Sequence, residues 1–185
     1  MSLKERLKSE TKPLHDATEQ AMESRRILAD DYSLDEYQSH LKILWKAHRS
    51  VEDARLRFPN HTELATFEIA QVAEVLRSDL STLNVDETGS FDQLDLSNGF
   101  QAIGALYVAQ GSQLGRMYIA NSKQAQFEKW HGVEPGYYSR STEGKVNWKK
   151  FTEGLNHIPA EYHDDVVEGA VKAFEEFIRI AKAGA

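Results

Sequence analysis

The run Gly104-Ala105-Leu106-Tyr107-Val108-Ala109-Gln110-Gly111-Ser112-Gln113-Leu114-Gly115-Arg116 decides the fold. It is apolar, has helical spacing, and sets Gly111 and Gly115 on one face, a turn apart. Glycine costs roughly 1 kcal/mol relative to alanine inside a helix. A chain that accepts this cost twice on one face admits something closer to the backbone than a Cβ allows. Either a tightly packed second helix or a bound ligand meets that description. Small residues at this spacing ordinarily serve close helix packing, and Tyr107, Ser112 and Gln113, which place polar groups beside the glycines, tilt the balance somewhat toward a ligand.

Outward from this run, the hydrophobic pattern is mostly of period 3.6, and only four prolines occur. A first helix opens near Ser2 with Leu3, Leu7, Leu14 and Met22. It restarts at Pro13, with Thr11 as the cap. Ser33 and Glu36 form a capping box. The stripe that follows is Tyr37, Leu41, Leu44, Trp45, His48, Val51 and Leu56, stopped by Pro59. A third helix is expected over 62–83, with Leu64, Phe67, Ile69, Val72, Val75, Leu76 and Leu80. Residues 84–95 read as a loop. The glycine-bearing helix runs from Ser97 to about Ala125, with a shorter piece to Trp130. Residues 132–147 are loop-rich, and 148–156 form a short amphipathic helix. Pro159 begins the last helix, with Val166, Val167, Ala170, Phe174, Phe177 and Ile178 inward. No segment alternates like a strand. The expectation is an all-α, single-domain, multi-helix fold of about seven helices spanning 1–185.

Composition sets limits on function. The chain has 185 residues, 41% hydrophobic and 28% charged, enough for one domain with a real core. A net charge of −7 disfavours nucleic acid or an anionic membrane as the main partner. With no cysteine, thiolate metal sites, iron–sulfur clusters and cysteine nucleophiles are excluded. Metal chemistry must therefore use histidine, carboxylates or a preformed metallocofactor. No run of about 18 apolar residues is present, so no membrane insertion is expected. The charged start of the chain does not read as a signal peptide, and a cytoplasmic location is expected. Glu128 and His131 make the one Glu-x-x-His pair, where a diiron bundle needs two.

His15 offers a better ligand. Lys8, Lys12, His15 and Glu19 fall at spacings of four, three and four, one stripe of a continuous helix. Such a stripe is ordinarily a solvated charged face. It also suits an anionic, metal-containing ligand, with His15 on the metal and the lysines on carboxylates. His40, His48, His61, His131, His157 and His163 lack such company and read as surface or core residues.

The two segments together resemble the heme oxygenase family. The run from Leu7 through Thr11, Lys12 and His15 to Glu19 is similar to its proximal helix. The run Leu106-Tyr107-Val108 with Gly111, Ser112, Leu114 and Gly115 is similar to the distal helix of its bacterial branch. Weaker similarity covers Ser33 to Tyr37, Asp79-Leu80 with Leu83, Trp148 with Phe151, and Ala173-Phe174 with Phe177.

The resemblance implies heme held between two helices, as both cofactor and substrate. His15 would be the proximal iron ligand, and Gly111 and Gly115 would let the distal backbone lie over the porphyrin. Ser112 or Gln113 would hold ordered water on the distal side. Lys8 and Tyr107 would anchor propionates, with Lys12 a further cation and Lys149 or Lys150 a looser match. Glu19 and Phe174 would line the heme. The activity implied is O2- and reductant-dependent cleavage of heme to biliverdin, carbon monoxide and ferrous iron. An external electron donor such as a ferredoxin, flavodoxin or reductase would be the partner. The alternative is a heme-binding or heme-sensing protein on the same fold, without turnover. One departure bears on this choice. Arg116 stands where the family has glycine or alanine, and it could face out, bind a propionate or fill heme space.

Overall fold

The computed structural model describes residues 1–68, 70–86, 93–130, 135–139 and 143–184. These residues form eight α-helices and three 3-10 turns, with no strand among them. The helices are α1 (Leu3–Glu10), α2 (Lys12–Ala21), α3 (Leu34–Arg55), α4 (Thr62–Ala65), α5 (Val72–Thr82), α6 (Gly99–Lys129), α7 (Glu143–Gly154) and α8 (His163–Gly184). Among the described residues no helix is long and apolar enough to cross a membrane.

Local chemistry explains the starts and breaks. Ser2 with Glu5, and Ser33 with Glu36, form capping boxes that hold orphan amides at the openings of α1 and α3. Pro13 sits in the first turn of α2, and Thr11 occupies the cap position. Thr11 does not cap with its side chain, however: its Oγ1 donates to the Leu7 carbonyl at 2.7 Å. The junction is a kink rather than an end. Thr11 N still donates to Leu7 O at 3.1 Å and His15 N to Thr11 O at 2.9 Å.

The single helix expected over 62–83 is two. Phe67 leaves the helical path and packs against Phe151, ring centroids 4.9 Å apart. The chain then restarts at α5, whose Ala73 amide donates to Glu52 of α3 at 3.0 Å. Leu64, Phe67, Val72, Leu76 and Leu80 are buried as expected, but Val75 and Leu56 are exposed. Ile69 lies outside the described residues. Asn84, with φ of 55°, ends α5 in the left-handed region, and Val85 N reaches back to Leu80 O.

The glycine-bearing helix is longer than expected. It opens at Gly99 under an Asn98 cap, whose side chain accepts from Gln101 N at 2.9 Å, and continues unbroken to Lys129. At 1.5 Å per residue it is about 46 Å long. Ala102, Ile103, Ala105, Leu106, Val108 and Ala109 are all buried, as are Gln101 and Gln110, so its first half is largely buried all round. The reason is its place: α8, α7 and α3 all pack on it. α7 begins at Glu143, earlier than the loop-rich composition of 132–147 suggests. A 3-10 turn precedes α8, in which Ile178 is only partly buried while Ile180 and Ala181 complete the inward stripe.

Candidate active site

α2 supplies the histidine. This helix packs on α8 and on α1, and none of its residues is fully buried. The His15 side chain is 57% exposed. Its ring stands edge-on to the buried Phe174 of α8, centroids 6.1 Å apart at 72°. Nδ1 lies 3.8 Å from a Glu19 oxygen and 3.7 Å from an Asp16 oxygen. A carboxylate beside one ring nitrogen is the usual way to orient a metal-binding imidazole through the other. Lys12 is engaged by Asp16 at 2.8 Å. Lys8 is exposed on α1 and has no ion pair among the described residues.

On α6 the glycines divide into two kinds. A Cβ on Gly104 would stand 1.9 Å from the Val166 carbonyl oxygen, and one on Gly169 would stand 1.9 Å from that of Gln101. These two glycines close the α6–α8 crossing. Gly111 and Gly115 do no such thing. A Cβ on Gly111 would meet only the Trp148 ring of α7, at an ordinary 3.4 Å. A Cβ on Gly115 would meet nothing within 4 Å among the described residues. Tight helix packing thus accounts for Gly104 and leaves Gly115 unexplained. Beside it, Leu114 and Tyr118 are exposed, Tyr118 at 66%. Tyr107, one turn before Gly111, is half-buried with its ring 5.3 Å from that of Trp148. Burial raises its phenol, which stays a protonated donor.

Ser112 turns away from the glycine face, about 100° round the helix from Gly111. Its Oγ donates to the Ala109 carbonyl at 2.8 Å and lies 3.2 Å from His48 Nε2. His48 Nδ1 is buried and has no partner among the described residues. His48 is fully buried in α3. Burial first, and the Arg116 charge second, push its pKa down to about 3, so it is neutral. Gln113 is also turned inward, donating to Gln110 at 2.7 Å.

Arg116 is buried, on the same side as Ser112. It donates to the Tyr137 carbonyl at 3.0 Å, and its guanidinium lies 5.4 Å from the Tyr137 ring centroid. It therefore neither faces solvent nor enters the open side of Gly115. Sequence reasoning missed His48, Trp148, Tyr137 and Asp79. His48 was visible as a polar residue in the apolar stripe of α3, Asp79 and Trp148 entered only through the weaker family similarity and without a role, and Tyr137 lies in a segment whose composition says only loop. His131 and the Glu128 side chain lie outside the described residues.

The donor set fits a metal that arrives in its own macrocycle. Among the described residues no three histidines or carboxylates stand together to hold a bare ion. One exposed imidazole does stand out, and α6 offers bare backbone at Gly115 with exposed apolar side chains around it. The candidate residues of α7 are occupied elsewhere. Lys150 pairs with Glu68 at 2.9 Å, across a pocket lined by Phe67, Asn147 and Phe151, and Lys149 lies 3.8 Å from Glu153.

The chain matches the family model described as heme oxygenase over residues 1–183. It is similar to the heme oxygenase of Neisseria meningitidis, solved in NO- and CO-bound forms, with a TM-score of 0.73 and 23% sequence identity. That similarity covers 100% of this chain and 92% of the other, and at this identity it establishes a common fold. No curated protein matches the chain.

Proposed function

Because the chain belongs to the heme oxygenase family, we propose that it cleaves heme to biliverdin, carbon monoxide and ferrous iron, using O2 and an external reductant. Heme is the substrate and brings the iron at which O2 is reduced. In this reading it lies between α2 and α6. His15 ligates its iron, with Glu19 orienting the imidazole and Phe174 backing it. Lys8 and Tyr107 meet the propionates, and Lys12 adds positive charge nearby. Gly111 and Gly115 admit the flat ring to the α6 backbone, and Leu114 and Tyr118 help keep water from it. Ser112 holds the hydrogen-bonding group that begins the polar set behind this face.

The observation that carries the reading is that the chain holds both an exposed His15 and a Gly115 against which no other described residue packs. A helix-packing role accounts for neither residue. The electron donor is a ferredoxin, flavodoxin or reductase, and the working location is the cytoplasm.

Hemin titration of the purified protein tests this. A Soret band of histidine-ligated heme should form, and should be lost or altered in His15→Ala. Reductant and O2 should then bleach it with a rising bilin absorbance. A stable band with no bilin would mark a heme-binding or heme-sensing protein without turnover. No band at all would exclude both.

A further inference from the structure

Arg116 is nine-tenths buried, yet no carboxylate pairs with it among the described residues. Among the described residues its Nε has no partner, and its Nη1 donates to the Tyr137 carbonyl at 3.0 Å. A guanidinium buried in this way is poor at stabilising a fold, since desolvation opposes what the contact returns. Its geometry has a different consequence. Asp79 of α5 holds the other side of the same peptide segment: Oδ1 accepts from Gly136 N at 2.8 Å and Oδ2 from Tyr137 N at 2.9 Å. Tyr137 is thus gripped at its N–H by one helix and at its C=O by another.

What the grip fixes is the Tyr137 ring, which is buried. The ring stands 6.0 Å from the His48 ring, edge to face. Its hydroxyl is close enough to Ser112 for that neighbour to oppose the rise that burial causes. Ser112 in turn holds His48 Nε2. This polar set reaches α6 one residue from Gly111 and three from Gly115. We propose that Arg116 is a positioning residue for the distal side of the site: with Asp79 it clamps the Tyr137 peptide, and so fixes Tyr137 against Ser112 and His48. The proposal rests on the heme-cleaving function, because it is for that reaction that the Ser112–His48 pair must be held in place. It also gives the one large residue in a small-residue position of α6 a task outside the heme space.

The test uses the full chain and the variants Arg116→Met, Arg116→Lys and Asp79→Asn. In heme-free protein, hydrogen exchange at the Gly136 and Tyr137 amides and the His48 ring shifts report the clamp directly. With hemin, affinity and single-turnover rate are read separately. Arg116→Met should speed exchange and move the His48 shifts, with the melting temperature and hemin Kd held. Its turnover should fall about tenfold, the scale of loss from a small misplacement away from the chemistry. Asp79→Asn should do the same, and Arg116→Lys, which keeps the charge and a donor, should recover part of the rate. Unchanged amide exchange, or unchanged turnover, would overturn the proposal. So would a parallel fall of stability, affinity and rate, which would make Arg116 a merely structural residue. Failure of the wild-type protein to bind hemin would instead remove the proposed function, and the exchange measurements would still show whether the clamp exists.

Discussion

Gly104 and Val166 fix the α6–α8 crossing: the Val166 carbonyl oxygen lies 1.9 Å from where a Gly104 Cβ would be. Backbone cannot move aside as a flexible side chain can. Gly104→Ala should therefore cost about 3 kcal/mol or more by overpacking, read as a lower urea midpoint. Gly115→Ala should do the opposite. Among the described residues nothing lies within 4 Å of where its Cβ would be, and helix propensity improves by up to about 1 kcal/mol. A larger side chain separates fold from function: Gly115→Leu should leave stability close to wild type and weaken hemin binding about tenfold, or 1.4 kcal/mol. Equal stability losses at Gly104 and Gly115 would refute the division of the glycines into two kinds.

That division also shows how far the sequence carries. Glycine spacing on an apolar run identified the helix and both explanations for it, but not which glycine served which. Gly104 had to be matched with Val166, 62 positions away, before Gly115 stood out. The capping boxes at Ser33 and the break at Pro13 were legible because their partners lie within four residues. The division of 62–83 into α4 and α5 was not, because Phe151 and Glu52, which enforce it, are remote. Arg116 was legible as an anomaly, whereas its partner Tyr137 lies in a segment whose composition says only loop. The stripe spacing offered His15 as a metal ligand and Lys8 as a partner for carboxylates, and the resemblance supplied heme as the ligand and added Tyr107 as a candidate.

Acid should destabilise the heme-free protein through two histidines. Burial pushes His48 down to about 3 and His40 down to about 4, against an ordinary 6.5. Below pH 6.5 the unfolded chain takes up protons that the native state refuses. Stability present above that pH is lost as pH falls towards 4, at up to about 1.4 kcal/mol per pH unit for each histidine. His40 is only half-buried and hydrogen-bonded to the Tyr138 hydroxyl at 2.7 Å, so its share is the smaller. Urea unfolding from pH 7 to 4 should show the slope, and His48→Asn should flatten it. An unchanged slope in that variant would show that His48 is not the source.

Glu52 should matter as a cap rather than as a charge. Its carboxylate accepts the Ala73 amide at the opening of α5, yet burial outweighs this and raises its pKa. A raised carboxyl pKa means that ionisation itself opposes folding, so stability lent by the protonated form fades as pH rises through the folded value. Glu52→Ala, which removes the acceptor, should cost about 1 kcal/mol. Glu52→Gln, which keeps one oxygen without the charge, should cost less. Chemical denaturation at pH 7 of both variants decides it, and the reverse order would make the charge the important element.

His15 is the residue whose loss should cost function and nothing else. Its side chain is 57% exposed, and its ring stands edge-on to that of Phe174. Substitutions at such positions usually stay within about 0.5 kcal/mol. His15→Ala should therefore unfold at the wild-type urea concentration while failing to give the histidine-ligated Soret band. Added imidazole can enter an open position that the side chain has vacated, so it should restore a band in this variant. The same addition to a Gly115→Leu variant should restore nothing, because there the obstacle is the room for the ring rather than the ligand. A His15→Ala protein with an unaltered heme spectrum would move the iron ligand elsewhere in the chain.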